Sequence, residues 1–258
     1  MALLTVFANF FINTEERWLR VQDSFLSFRD VAAQEWVVNV RGQYWQQVVA
    51  LLHHHLGDKL RIYHIESEEG WFNDTRHMLS DITAPYVMFW LEDHISLVSP
   101  SLLDLHVADM QENSIDYMMY TFWWGAKLRA RYRNIPLTNG RHTDHFMHTA
   151  ENNVVIQNNA SEGVYLIAAC SIFKNSLFKK IVLTDDPVQK RWPIKTPFDF
   201  EKRPSDVHWL PLRVGLPRQE LFASIDDDHV HPGSCLISRG LYPNRERRTS
   251  YATIHHTP

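Results

Sequence analysis

Several things are scarce in this chain of 258 residues, and each scarcity excludes a class of protein. Only two cysteines occur, Cys170 and Cys235, far apart and outside any CxxC spacing, so neither a disulfide framework nor a cysteine zinc site is available. That usage fits a reducing cytoplasm. A basic excess is missing as well: the net charge is −4, whereas a general nucleic-acid binder carries a strong positive surplus. No uninterrupted apolar run reaches membrane-spanning length. The apolar start MALLTVFANFFINTEERW lacks a basic leader region and a small-residue cleavage site, and reads as a buried first strand. No GxGxxG, GxxxxGK[ST] or GxSxG follows that strand, which removes the usual phosphate cradle and nucleophile elbow.

What is present is an alternation of two periodicities. LLTVFANFF has strand character, and NTEERWLRVQDSFLSF then places Trp18, Val21, Phe25 and Phe28 on one side of a helix, with Thr14 as its cap. EWVVNV, then QYWQQVVALLHHHL ending at Gly57, then KLRIYHIE repeat the pattern. A short helix around DTRHMLSDI, a strand YVMFWLED and a helix opened by Ser99 and Pro100 complete the first half. Strand and helix alternating in this way predict an α/β fold with a mostly parallel sheet covered on both faces. The second half is less regular. DYMMYTFWW and GVYLIAACSIF read as strands, NGRHTDHFMHTAENN as a polar loop or hairpin, and 184–217 as proline-rich loops.

Polar residues recur where these strands end: Asn9 and Asn13, then Asn39 and Arg41, then Glu66, then Glu92, Asp93 and His94. Open parallel sheets bind ligands at the carboxyl ends of their strands, so this recurrence marks a candidate site. Each residue taken singly also suits a helix cap or turn. Adjacent carboxylates beside an imidazole suit Mn²⁺ or Mg²⁺ bridging to a diphosphate.

At this point the residues carry a resemblance. The strand closing in LED, about ninety residues in, looks like the acidic DxD or EDD signature of nucleotide-sugar-dependent glycosyltransferases with the GT-A fold. ERWLRVQDSFLSF resembles the first helix of their family-2-like branch. The resemblance covers most of the chain and is strongest from Leu3 to about Ser114. It implies a nucleotide-sugar half at 1–115, an acceptor and catalytic half at 116–235 and a basic tail at 236–258. It further implies that Glu92, Asp93 or both contact ribose and metal, with Asn9, Asn39, Arg41 and Glu66 lining the donor. Two departures are visible: Asn39 stands where members often keep an aspartate that reads the base, and His94 where many have a third acid.

Two later clusters fit the same expectation. TPFDFEKRPSD resembles the segment where inverting members hold the carboxylate that deprotonates the acceptor, which makes Asp199 or Glu201 the candidate base. A solvated salt-bridge cluster with Lys202 and Arg203 is the competing reading. In SIDDDHVHPGS, His229 and His231 are two apart and face one side of an extended segment. The resemblance implies that a late histidine can join Asp93 and His94 at the metal. Arg239, Arg245, Arg247 and Arg248 are placed to close over a diphosphate or to face anionic lipid.

Weaker features are the histidines at 53–55, which fall on three helix faces, and Trp123 and Trp124, suited to stacking on a sugar or to core packing. His142, His145 and His148 have threefold spacing that would suit a helix-borne metal site. The sequence thus predicts a cytoplasmic transferase meeting a saccharide or lipid-linked glycan acceptor at the inner membrane face, with no nucleic-acid partner. A sugar-1-phosphate nucleotidyltransferase lacks its glycine-rich loop here, and a decayed nucleotide- or glycan-binding module is the non-enzyme alternative.

Overall fold

A computed structural model describes residues 2–67, 70–120, 131–159, 165–184, 200–226 and 233–242. The first half alternates as expected: β1 Leu4–Phe11, α1 Glu15–Phe28, β2 Ala33–Arg41, α2 Trp45–Leu56, β3 Leu60–Tyr63, α3 Trp71–Arg76, β4 Tyr86–Phe89, β5 His94–Ser96 and α4 Pro100–Glu112. β6 Tyr117–Met119, β7 Thr143–His148, α5 Ala150–Asn159, β8 Ser171–Lys174, α6 Asn175–Leu183, β9 Leu212–Pro217 and β10 Phe222–Ser224 follow.

Eight strands form one sheet in the order β3-β2-β1-β4-β8-β6-β9-β7, and β5 pairs with β10 in a separate ribbon. β3, β2, β1 and β4 are mutually parallel, β8 runs against both its neighbours, and β7 runs against β9. Because both faces are covered, the strands are apolar throughout, and their alternation appears as membership of two cores. Phe7, Val37, Val87 and Phe89 pack with Trp71 and Phe178 on one face. Val6, Ala8, Trp36, Val38 and Met88 pack with Phe25, Val48 and Val107 on the other.

The caps match the sequence. Thr14 accepts from the Arg17 N–H, and Ser99 accepts from the Leu102 N–H with Pro100 in the first turn. Three expectations need correction. NGRHTDHFMHTAENN is a strand followed by a helix, β7 and α5, at the sheet edge. His145 and His148 therefore lie on opposite sides of an extended segment, and the helix-borne metal site is ruled out by the period of a strand. Among the described residues of GVYLIAACSIF the strand begins only at Ser171 and runs to Lys174, and Leu166 and Ile167 pair with Lys202 instead. The strand before LED stops at Phe89, where Trp90 N–H donates to Phe7 O and the chain turns away.

The expected tail also begins inside the fold. Leu236 and Tyr242 are buried with Ala223 and Ile225, and the Tyr242 hydroxyl donates to Asp23 on α1. Among the described residues no helix is long and apolar enough to cross a membrane.

Candidate functional site

Strand order reverses between β1 and β4: the chain builds outward through β2 and β3, then returns to the other side of β1. The crevice at such a switch point is where open α/β sheets take ligands. Here the carboxyl end of β4 supplies Glu92, Asp93 and His94.

α1 fixes this acidic turn through a polar stripe at helical spacing, Glu16, Arg20, Ser24 and Ser27. The Trp90 indole donates to Ser24 Oγ at 2.9 Å, and Ser96 N–H donates to Ser27 Oγ at 2.9 Å. Arg20, only 5% exposed, donates to Glu16 at 3.2 Å and to both oxygens of Asp226, at 3.2 and 2.5 Å. Arg17 donates to the Phe11 carbonyl and faces Glu92 at 3.4 Å. Two arginines that sequence reasoning did not select thus stand at the turn, Arg17 against Glu92 and Arg20 between Glu16 and Asp226. Their signal was available, since Arg20 lies four residues after Glu16 beside the apolar stripe.

His94 lies between two partners. Its Nδ1 is 2.7 Å from Asp93 Oδ1, and its Nε2 is 3.5 Å from Cys170 Sγ. Burial opposes a charge on His94, but the Cys170 sulfur and the Asp93 carboxylate together raise it well above the usual histidine value. Burial alone would lift Asp93, yet His94 and then Arg20 hold it down at about 2. Glu92 is pushed up by burial and by Asp93, against the pull of Arg17.

The described donors at this turn are partly engaged with one another. Both ring nitrogens of His94 and one oxygen of Asp93 are engaged, and Glu92 faces Arg17. Among the described residues no group of three or more histidine, cysteine or carboxylate side chains is arranged to hold a metal ion. Among the described residues, His94 is the partner of Asp93 and Cys170. His229 and His231 lie outside the described residues, as do Asp199, Arg245 and the tryptophans at 123 and 124.

The candidate base lies close in the chain path. Glu201 Oε1 accepts from Ala169 N–H at 3.2 Å, one residue from Cys170. The Ile167–Lys202 bridge brings its loop to the start of β8, which lies at the carboxyl end of β4 because the two strands are antiparallel. Arg239 is paired with Glu220 at 2.9 Å.

Asn9 and Asn39 are neighbours across β1 and β2 in the register. Asn39 is fully buried, donating to Asn9 Oδ1 at 3.0 Å and to Ile65 O at 2.9 Å while accepting from Ile65 N–H at 2.8 Å. Asn9 donates in turn to Trp71 O and Thr75 Oγ1. Asn9 thus clamps the end of β1 to α3, and Asn39 ties β2 to Asn9 and to Ile65 beyond β3, so both amides are largely occupied inside the fold.

Arg41 differs. Its guanidinium stands 5.7 Å over the Phe11 ring and 4.0 Å from Asp74, but Arg41 Nε and Asp74 Oδ2 are buried without a hydrogen-bond partner. Burial depresses Arg41, opposed by the Asp74 and Glu66 carboxylates. With Phe11 41% exposed and Glu66 at the surface, this end of the crevice offers an aromatic face and unspent polar atoms.

Comparison with known proteins puts this geometry in context. No protein-family model and no curated protein matches the chain. Solved structures do match. S. aureus TarS residues 1–349 in complex with UDP-GlcNAc is 13% identical with a TM-score of 0.50, covering 85% of this chain and 57% of that one. Its complex with UDP is 14% identical with a TM-score of 0.51. The mannosyltransferase PcManGT from Pyrobaculum calidifontis, in complex with GDP-Man and Mn²⁺, is 10% identical with a TM-score of 0.52, covering 92% of this chain and 60% of that one. The chain spans less than two thirds of the length of each. At such identities the likeness defines the fold: a GT-A-like α/β fold with a large, mostly parallel sheet flanked by helices.

Proposed function

We propose that the chain is a glycosyltransferase that moves a sugar from a nucleotide-sugar donor to a hydroxyl of a saccharide or lipid-linked glycan, with inversion, in building a surface polysaccharide. The observation that carries this reading is the turn Glu92–Asp93–His94 at the β1/β4 switch point, with Arg17, Arg20 and the Cys170–Glu201 segment against it. Neighbours sharing the fold were solved with UDP-GlcNAc and with GDP-Man.

In this reading the base and ribose lie against Phe11, Arg41 and Glu66, where unpaired buried polar atoms await partners. The diphosphate reaches toward the positive charge of Arg17, Arg20 and His94, which stabilises it as it departs. Glu201, or Asp199 two residues earlier, takes the acceptor proton as the hydroxyl attacks the anomeric carbon. No step is assigned to a cation.

The test is thermal stability against a panel of nucleoside diphosphates, in Mn²⁺ and in EDTA, for the native chain and Asp93→Ala. Saturation at a hundredfold excess over Kd adds about 2.7 kcal/mol. One base is expected to raise the midpoint, to do so in EDTA, and to have a weaker effect in the variant, which removes the carboxylate that orients and charges His94; its sugar conjugates are then assayed for turnover. A shift that requires Mn²⁺ would return the cation to Asp93 with donors from 227–231. Binding without turnover would favour the binding-module reading, and no shift with any nucleotide would leave the acidic turn as a structural element.

A further inference from the structure

Arg41 carries the largest unspent hydrogen-bonding capacity at the crevice. It is 8% exposed, and its guanidinium makes no hydrogen bond among the described residues. Asp74, its nearest carboxylate, stands 4.0 Å away and gives Oδ1 to the N–H and hydroxyl of Ser67. A buried cation facing no acceptor is costly, so its retention at a ligand crevice marks a place where a ligand supplies the acceptors. Two neighbours limit what that ligand presents. Register sets Phe11 beside Arg41 at the carboxyl ends of β1 and β2, with the ring 41% exposed, so a flat face is open to stacking. Glu66 is exposed, close enough to Arg41 to act on it electrostatically, and without a hydrogen bond or ion pair among the described residues. The ligand therefore meets a planar fork of donors, a carboxylate acceptor and an aromatic surface in one place.

On the reading that the chain takes a nucleotide-sugar donor, we propose that Arg41, Glu66 and Phe11 select guanine as its base, so that the donor is a guanosine diphosphate sugar. Arg41 donates to O6 and N7, the pairing that arginine makes most often with this base. Glu66 accepts from the ring N–H and the 2-amino group with its two oxygens, and Phe11 takes one face of the ring. The other bases leave part of this set unpaired. Uracil offers a single N–H between two carbonyls, so one Glu66 oxygen has no donor. Adenine and cytosine place a ring-nitrogen lone pair beside their amino group, and that lone pair would face the carboxylate. Unpaired polar groups of this kind are what a hydrogen-bonding site discriminates against.

The experiment measures Kd by isothermal titration calorimetry for the full chain, in EDTA and in Mn²⁺, with GDP, UDP, ADP and CDP. Inosine diphosphate, which lacks the 2-amino group, and 7-deazaguanosine diphosphate, which lacks N7, complete the panel. GDP is expected to bind at least about tenfold more tightly than the other bases, and each analogue about tenfold more weakly than GDP, as for the loss of one good base contact. The inosine penalty should vanish in Glu66→Ala, an exposed position whose loss leaves the unliganded midpoint unchanged, and the deaza penalty should vanish in Arg41→Gln. UDP or another diphosphate binding as tightly as GDP would overturn the choice of guanine while leaving the donor reading in place. An inosine penalty that persists undiminished in a folded Glu66→Ala would overturn the pairing with Glu66. Binding of no nucleotide at all would overturn the donor reading itself, and guanine selection with it.

Discussion

Replacing Asn39 by aspartate restores the residue that the resemblance leads one to expect at the end of β2, and the structure assigns that change a large cost. The Asn39 amide nitrogen donates to two acceptors, Asn9 Oδ1 and Ile65 O, at full burial. An aspartate keeps the bond from Ile65 N–H but turns an oxygen toward both acceptors. Ile65 O is main chain and cannot reorient. Asn9 can flip only by abandoning its bonds to Trp71 O and Thr75 Oγ1. Two lost bonds at about 1 kcal/mol each, plus a buried charge facing oxygen, sum to about 4 kcal/mol. For a chain of this size that lowers the thermal midpoint by about 10 °C.

The sign with pH follows from the burial. The new carboxyl is raised above its unfolded value, so the penalty is complete at neutral pH and shrinks as pH falls through the folded value, where a protonated oxygen donates again. Urea unfolding of Asn39→Asp and Asn39→Ala from pH 4 to 7.5 measures both effects. The alanine variant should lose about 2–3 kcal/mol with no pH dependence of its own. An aspartate variant as stable as the native chain, or one that binds a nucleotide more tightly, would refute the inward-facing amide and return residue 39 to the ligand.

Two further outcomes are expected. His106, 1% exposed against Thr143 Oγ1, is depressed to about 4 by burial and then by His142, against Asp109. The unfolded chain therefore takes up this proton first, and stability present above about pH 6.5 falls by about 3 kcal/mol by pH 4, a difference that His106→Gln should remove in urea titrations. Gly42→Ala should cost about 2–4 kcal/mol by the same measurement, since φ is +88° and a Cβ would lie 2.7 Å from Ile12 O, which already accepts from Tyr44 N–H.

The sequence by itself determined the alternation of the first half, because apolar periods of two and of three to four residues are local properties. It determined the caps Thr14 and Ser99 for the same reason, and it located the acidic turn after β4, since a run as apolar as YVMFWL cannot bury Glu92 and Asp93 along with itself. The second half was less legible. β7 and β8 gain their partners from residues tens of positions away, and TDHFMHTA has too few apolar residues to declare a strand.

Only the tertiary structure decided which polar residues are spent and which are open. Asn39 and Arg41 look alike at the end of one strand, yet register sets Asn39 against Asn9 while Arg41 keeps an unpaired nitrogen. Arg20 and Asp226, two hundred residues apart, become one ion pair, and His94 meets Cys170. Hydrogen-bond capacity is finite and consumed by whatever folding brings near, so the chemistry left for a ligand is a property of the packed chain.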